Sequence, residues 1–259
     1  MQKVFGMTEG DNFKNKLLRS QLWRSIFRHR YPRSHREERR QSRTSFILHF
    51  HPSVIDKDRL RISQTWGLGG ISFFLFLILT ISGGLLMFYY RPSVEHAYHD
   101  MKDLEYVVSF GLFLRNLHRW AAHGMVVTVI AHMARVFYAG SYRPPRELNW
   151  VVGVFLLVLT FSLSFTGYLL PWDQLSYWAV TVATHMVRAA PIIGADGPFT
   201  LVRSGADLSS LLLGARTVSA PSLLRFYVLH VFLLPLATAA FIALHFWRIR
   251  KDRMIRKLM

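Results

Sequence analysis

Four histidines in two apolar stretches of the chain have the spacing of paired metal ligands. His118 and His132 are 14 residues apart, and His230 and His245 are 15 residues apart. At about 100° per residue, the two members of each pair return to within roughly 60° of one helix face, and they lie about 21 to 23 Å apart along the axis. Two facing helices of this kind would form two His/His sites within a hydrocarbon core about 30 Å thick. This spacing favours bis-imidazole ligation of two haems, which would carry electrons across a membrane.

Glycines in two other apolar stretches repeat with the same period. Gly69 and Gly83 are 14 residues apart, as are Gly153 and Gly167. A haem is about as wide as a helix, so a neighbouring helix must be thin where the macrocycle passes, and glycine permits that approach. We therefore predict that these four glycines pack against haem. Taken alone, paired glycines would indicate only close helix packing.

A histidine inside a span can also be a packed residue whose ring is bonded to a backbone carbonyl. For His123 we prefer this interpretation. It follows His118 by five residues, about 140° around the helix, and should therefore face away from the proposed ligand pair. For the four paired histidines, the shared period with the glycines favours ligation.

Three arginines lie close to the histidines and are candidates for binding haem propionates. Arg115 precedes His118 by three residues, Arg119 follows it directly, and Arg135 follows His132 by three residues. A guanidinium can bind a carboxylate through two parallel hydrogen bonds. The alternative for these side chains is a simple interfacial position, with the stem in the bilayer and the charge in water.

The composition predicts the elements that must position these residues. The chain has 259 residues, of which 51% are hydrophobic, and it has no cysteine. Four apolar runs, each bounded by Trp or Tyr, are long enough to span a bilayer. We predict an all-α integral membrane protein, a four-transmembrane-helix di-haem bundle with amphipathic surface helices. The spans are expected near 66–89, 118–138, 149–170 and 226–247, within a domain of 63–251 that lies between a basic extension, 1–62, and a basic tail, 252–259.

The charges predict the orientation. Of the net charge of +17, a net +16 lies in residues 1–65, 135–147 and 248–259. The positive-inside rule places these segments, and with them both termini, on the cytoplasmic side. So much positive charge is also typical of nucleic-acid binding, but four spans argue against such a partner. Within the leader, apolar residues at helical spacing among cations predict an amphipathic helix on the anionic leaflet, and a basic arm without structure is the alternative.

Four further segments have distinctive sequences. They are Leu112–Trp120 (LFLRNLHRW), Arg143–Trp150 (RPPRELNW), Thr166–Gln174 (TGYLLPWDQ) and Arg225–His230 (RFYVLH). Together they resemble the cytochrome b of quinol-oxidising bc-type complexes. The 15-residue spacing of the second histidine pair and the PWDQ sequence are similar to the short four-helix form in plastid and cyanobacterial b/f complexes. The resemblance covers roughly Trp66 to Lys251.

The resemblance implies a pairing of ligands between the second and fourth spans. His118 and His230 would hold a non-covalent b-type haem on the outer, positive side, and His132 and His245 a second one on the inner, negative side. It also implies bifurcated oxidation of quinol at the outer face, with one electron passing to a Rieske iron–sulfur protein and the other to an inner quinone site. The cycle would move protons outward.

The resemblance further implies partners and a membrane. The acidic PEWY loop of the family is absent, so a second membrane subunit must supply the remaining cytochrome b helices. A c-type cytochrome or a plastocyanin-like protein would accept electrons, in a dimeric complex in a bacterial cytoplasmic or thylakoid-type membrane. This chain has Gly67 where the short form has a cysteine that holds an extra haem. We therefore expect no covalent haem c on this chain, while a non-covalent one stays open.

Residues for the two quinone sites are predicted less directly. The outer quinol site would be partly lined by Tyr168, Pro171, Trp172 and Trp178, which could equally be interfacial anchors. The connection of 172–225 should form short amphipathic helices over the outer face, with extra length between Ile193 and Leu208. At the inner face, Arg250 and Lys251 could bind a propionate or quinone, although a positive-inside anchor explains them nearly as well.

Two other functions share some of these features. A di-haem membrane anchor of another quinone-linked dehydrogenase or reductase would have the same ligands without a Rieske partner. A haem-free transporter or scaffold could use intramembrane histidines to relay protons. The segment TGYLLPWDQ favours the quinol oxidoreductase over an anchor, since an anchor needs no such outer-face sequence.

Overall fold

The structure of the protein, a computed structural model, describes residues 66–144, 146–203 and 205–255, with side chains as far as residue 249. The predicted extension of 1–62 lies outside the described residues. Within the described ranges, all regular elements are helical. They are α1 (Leu68–Leu86) with a 3₁₀ turn at Met87–Tyr89, α2 (Ala97–Tyr106), α3 (Gly111–Tyr138), α4 (Glu147–Leu169), α5 (Gln174–Arg188), α6 (Leu208–Leu213), α7 (Ala220–Val228), a π-helical turn (Leu229–Leu233) and α8 (Leu234–Ile255).

Four helical segments of the described chain are long and apolar enough to cross a membrane. Large apolar side chains on their outer faces, such as Phe74 and Ile81, are exposed, as lipid-facing positions must be. The predicted all-α membrane fold with four spans is confirmed. The segments are Leu68–Tyr89, Gly111–Tyr138, Glu147–Leu169 and Ala220–Ile249.

Two of these helices begin well before the apolar runs that predict them. The second starts at Gly111, after Phe110 turns the chain with a left-handed φ of 61°. The fourth starts at Ala220, where the backbone N–H of Ser219 donates to the hydroxyl of Ser222 and the backbone N–H of Ser222 donates to the Ser219 carbonyl. Capping residues start the backbone hydrogen bonds, whereas hydropathy reports only the part of the helix that lies in the bilayer.

The four spans pack as two pairs. Helix α1 lies along α3, α4 lies along α8, and contacts between α3 and α4 join the pairs. Direct contact between α3 and α8, which carry the paired histidines, is slight. The histidines therefore face each other across the junction of the two helix pairs.

The end of the bundle near His118 and His230 is covered by short helices, and we call it the capped end. Its core resembles that of a water-soluble protein, with Val180, Leu213 and Phe226 buried. The predicted amphipathic surface helices are found here, since α5 buries one face and exposes the other. At its first turn, Asp173 and Ser176 cap the helix reciprocally. The end of the bundle near His132 and His245 is called the opposite end.

The fourth span widens to a π-helical turn at Leu229–Leu233, which contains His230. Pro235 follows, and its missing N–H cannot bond the carbonyl of residue 231 four positions earlier. A proline accounts for the local loss of α-helical hydrogen bonding, and such turns are frequent at functional sites.

Candidate functional site

At the capped end, the structure brings His118 of α3 and His230 of the fourth span together. Their ring centres are 6.2 Å apart and the rings are inclined at 74°. With metal–imidazole bonds of about 2 Å and roughly 1.2 Å from each ring centre to its nitrogen, two imidazoles on one metal have centres about 6 Å apart. The pair thus has the separation of two axial ligands of one metal ion.

The environment of His118 determines which ring nitrogen can ligate. The hydroxyl of Ser82 donates its only hydrogen to the carbonyl of Ile78 at 2.7 Å. With that hydrogen on the carbonyl, the hydroxyl oxygen accepts from Nδ1 of His118, which lies 2.9 Å away. Nδ1 carries the proton, and Nε2 keeps a lone pair available for a metal.

His230 has the same tautomer for a similar reason. Its Nδ1 lies 3.0 Å from the carbonyl oxygen of Leu163, which can only accept a hydrogen bond. The hydroxyl of Thr166 is at 3.4 Å from the same nitrogen and donates to the carbonyl of Ser162. Both histidines of the capped end therefore present an unprotonated Nε2.

The pair at the opposite end is arranged differently. His132 and His245 lie close enough to interact electrostatically, but no contact between their rings is found in the described residues. Their Nδ1 atoms are both buried without a hydrogen-bond partner in that part of the chain. A buried polar nitrogen left unpaired costs about 1 to 3 kcal/mol, so His132, unlike His118 of the same helix, lacks a described hydrogen bond that would orient its ring.

Each of the four predicted glycines lies against one of the four histidines. A Cβ added to Gly69 would be 3.1 Å from Cε1 of His132, and a Cβ added to Gly83 would be 3.1 Å from Cε1 of His118. At Gly167 the corresponding distance to Cε1 of His230 is only 2.5 Å. Gly153 is less constrained, because its added Cβ would be 3.4 Å from Met133 Sδ and 3.9 Å from the ring of His245.

The three predicted propionate arginines have different surroundings. Arg115 forms an ion pair with Glu105 of α2, and both side chains are largely buried. Arg135 lies over the ring of Trp66, 5.0 Å from its centroid. Arg119 is exposed. Their binding of propionates stays a prediction, and at Arg115 a propionate would have to share the guanidinium with Glu105.

His123 joins neither histidine pair. Its ring is exposed and packs edge-on against Trp120, with ring centres 5.6 Å apart. His123 faces away from the ligand pair, as its angular offset predicts. The prediction that it packs inside the bundle is wrong, because its ring lies on the surface of the span.

The residues predicted for the outer quinol site are distributed over the capped end. Trp172 packs against the buried core of the capped end, and its ring contacts that of Tyr177 edge-on, with ring centroids 5.8 Å apart. Tyr168 is 52% exposed, and Pro171 is half-buried. Only Trp178 of the four lines a cavity of about 190 Å³ beside α5. At the opposite end, the side chains of Arg250 and Lys251 lie outside the described residues.

The histidine spacing did not identify the polar residues that bond the capped-end rings. Ser82 directly precedes Gly83, and Thr166 directly precedes Gly167. The glycines of the opposite end follow Leu68 and Val152 instead. A polar residue before each capped-end glycine is thus a sequence signal for the hydrogen bonds that distinguish the two ends.

Comparison with known proteins identifies the family of this chain. The family described as Cytochrome b/b6/petB matches residues 56–253. The chain belongs to the cytochrome b/b6 family. It is similar to cytochrome b6 of Gracilaria tenuistipitata var. liui, with 45% identity over 185 residues that cover 71% of this chain and 81% of the relative.

A solved structure of the same family type has a similar fold. A chain of a hyperthermophilic respiratory Complex III matches with a TM-score of 0.66 and 30% identity, over 73% of this chain and 48% of the solved one. This cytochrome b/b6-family chain thus spans about half the length of that chain. The predicted resemblance is confirmed, and the protein is an integral membrane protein of a family that carries b-type haem.

The residues present fit that group. The capped end supplies two imidazoles whose Nε2 atoms carry no proton, and the opposite end supplies two more that lie close enough to interact. At Gly69, Gly83 and Gly167 an added Cβ would crowd an imidazole, most severely at Gly167.

Proposed function

We propose that this cytochrome b/b6-family chain is the di-haem b subunit of a quinol oxidoreductase complex of the bc or b/f type. His118 and His230 would hold one haem on the outer side, and His132 and His245 a second one on the inner side. The observation that carries the proposal is the His118–His230 pair, whose separation of 6.2 Å and common tautomer would suit two imidazoles that hold one haem iron.

The chain's own residues perform three tasks in this function. Ser82 and the Leu163 carbonyl hold the Nδ1 protons, so that Nε2 of each capped-end histidine ligates. Gly83 and Gly167 leave room beside the rings. The apolar spans exclude water around the sites, which favours electron transfer without competing reactions. A b-type haem supplies a one-electron carrier when bound.

We propose further that the chain works between an outer quinol-oxidation site and an inner quinone-reduction site, with coupled outward proton translocation. The outer site would be completed by a second membrane subunit, and the electron acceptors would be a Rieske protein followed by a c-type cytochrome or a plastocyanin-like protein. The basic ends of the chain support a topology with both termini on the cytoplasmic side of a dimeric complex.

A reduced-minus-oxidised spectrum of the purified subunit tests the proposal. We expect b-type absorption and two haems per chain. A spectrum without b-type absorption would overturn the proposal and favour a haem-free transporter or scaffold. Purification of the complex from the native membrane then distinguishes a quinol oxidoreductase from a di-haem anchor of another enzyme. Recovery of a Rieske protein and a second membrane subunit is expected, whereas recovery of an unrelated dehydrogenase would indicate a di-haem anchor.

A further inference from the structure

The capped end contains a cavity that the haem sites do not use. It has a volume of about 190 Å³ and lies between α5, from Tyr177 to Arg188, and residues 213–218. Water occupies about 30 Å³ per molecule in the liquid, so the space accepts a group larger than a single ion. The haem ligands are not among its lining residues.

The polar lining of this cavity is basic. Arg188 and His185 come from the last turn of α5, and Arg216 comes from the opposite wall. None of the cavity-lining residues in the described part of the chain is acidic. Cations in the last turn of a helix are explained by its dipole, but Arg216 belongs to a different segment and has no such explanation. The three basic groups meet only because the tertiary structure brings two segments together.

Arg188 is only partly neutralised. A single nitrogen of its guanidinium, Nη2, reaches Asp196, at 3.0 Å from Oδ2. The carboxylate of Asp196 is 58% exposed and therefore well screened by water. Arginine has five N–H donors in a planar fork, so most of its capacity is left for another acceptor.

The remaining walls are apolar and aromatic. Leu213 and Val218 are almost fully buried, and Tyr177 and Trp178 form the aromatic side. A ligand with an anionic head and an uncharged body matches this combination. A neutral quinol would gain nothing from two guanidinium groups, which distinguishes this cavity from the quinol site proposed above.

The position of the cavity favours a phosphate group. Helix α5 begins at Gln174, shortly after the third span ends at Leu169, and Arg216 lies shortly before Ala220, where the fourth span begins. Both walls are therefore attached to span ends, at the level of the lipid headgroups. Arginine pairs recognise phosphate through bidentate hydrogen bonds.

From this geometry we infer an anion site, formed by Arg188, Arg216 and His185, that binds a phosphate group at the membrane interface. The shared chemistry is a phosphate oxygen set between two guanidinium groups. The phosphate is supplied by the headgroup of an anionic phospholipid or by soluble phosphate. Only the phospholipid has an uncharged part that the apolar walls of the cavity can contact.

Titration of the intact, delipidated complex in detergent tests the site with three probes. They are inorganic phosphate, short-chain phosphatidylglycerol and short-chain phosphatidylcholine, with binding measured by calorimetry. We expect phosphatidylglycerol to bind at least about tenfold more tightly than phosphatidylcholine. Both lipids carry an anionic phosphodiester, but the choline ammonium of phosphatidylcholine would be repelled by the guanidinium groups. Tighter binding of the lipid than of inorganic phosphate identifies a headgroup site, and equal binding identifies a site for soluble phosphate.

Three variants connect the binding to these residues. R216Q should weaken binding of the preferred probe by about tenfold or more, whereas R203Q, an exposed arginine of the same connection outside the cavity, should leave it unchanged. D196N removes the competing carboxylate without removing a cation, and should tighten binding. Equal affinities in R216Q and the unaltered complex would overturn the inference, as would binding of a neutral short-chain quinol in the cavity with no response to phosphate. Retention of both haem spectra in each variant shows that the complex is folded.

Discussion

The hydroxyl oxygen of Ser82 lies 2.9 Å from Nδ1 of His118. Nδ1 of His132, 14 residues further along the same helix, is buried without a hydrogen-bond partner in the described part of the chain. The hydrogen bond fixes the tautomer of His118, because the Ser82 hydrogen is already donated to Ile78. The two imidazoles of one helix thus have different partners, and this difference can be tested separately at each site.

Replacement of Ser82 by alanine should weaken haem binding at the capped end. The bond from Nδ1 orients the ring and raises the basicity of Nε2, and loss of such a partner typically costs about 10- to 100-fold in metal affinity. A less basic ligand also stabilises the oxidised iron less, so the reduction potential of this haem should rise. Haem titration and a redox titration followed optically measure the two effects.

Ser72→Ala is the matched control for that variant. Ser72 is a buried serine of the same helix, and it bonds Leu68 and Thr128 instead of a histidine. An equal shift of potential in both variants would show that the effect arises from general loosening of α1.

Alanine at Gly167 should displace the ring of His230 and reduce haem content at the capped end. The added Cβ would lie 2.5 Å from Cε1 of that ring, far inside van der Waals contact. Alanine favours a helix over glycine by up to about 1 kcal/mol, so loss of the helix itself is not expected. The ratio of haem to protein in the purified variant gives the result.

The other glycines provide a graded comparison for this prediction. Gly153→Ala should have a smaller effect, since its nearest histidine atom would be 3.9 Å away, and Gly84→Ala should have none, because nothing lies within 4 Å. Equal haem content in the Gly167 and Gly84 variants would contradict the role assigned to Gly167.

Replacement of His132 by alanine should remove one haem and leave the other. Its loss deprives the opposite end of a ligand, while His118 and His230 keep their hydrogen bonds to Ser82 and Leu163. The haem-to-protein ratio should fall by about half. His123→Ala is the control, because this exposed ring belongs to neither pair. Two haems in the His132 variant would refute the assignment of ligands.

The ion pair between Arg91 and Asp100 should make the stability of the capped end dependent on pH. Asp100 is 4% exposed and accepts hydrogen bonds from the backbone and side chain of Arg91. The Arg91 guanidinium holds the pKa of this carboxyl below its usual value. Because the pKa is lower in the folded state, the stabilisation is complete above the unfolded pKa of about 3.9 and is lost as the pH falls through the folded value.

Asp100→Asn should therefore lower the thermal midpoint at pH 7. The expected loss in free energy of unfolding is about 1 to 3 kcal/mol, the contribution of a hydrogen bond to a charged group. The difference in thermal midpoint between the variant and the unaltered protein should become smaller as the pH falls below about 4. Thermal unfolding at several pH values measures it, with the exposed Asp103→Asn as control. A difference that does not change with pH would show that the Asp100 charge is not its cause.

The sequence by itself determined the parts of this protein that are periodic. The spans follow from hydropathy, because a bilayer requires about 20 apolar residues per helix. The matched periods of His118 and His132 with Gly83 and Gly69 follow from the helical repeat, which fixes the face on which each residue lies. The motifs around His118 and Pro171 were enough to predict the family to which the chain belongs.

Only the tertiary structure decided which groups from different helices meet. Helical periodicity places Ser82 on a face of α1, but the packing of α1 along α3 brings its hydroxyl to His118 rather than to His132. The ion pair of Arg115 with Glu105 and the placement of Arg188 and Arg216 on one cavity depend in the same way on how the short helices fold over the capped end. Such contacts join residues far apart in the chain, and no local repeat or propensity encodes their distance.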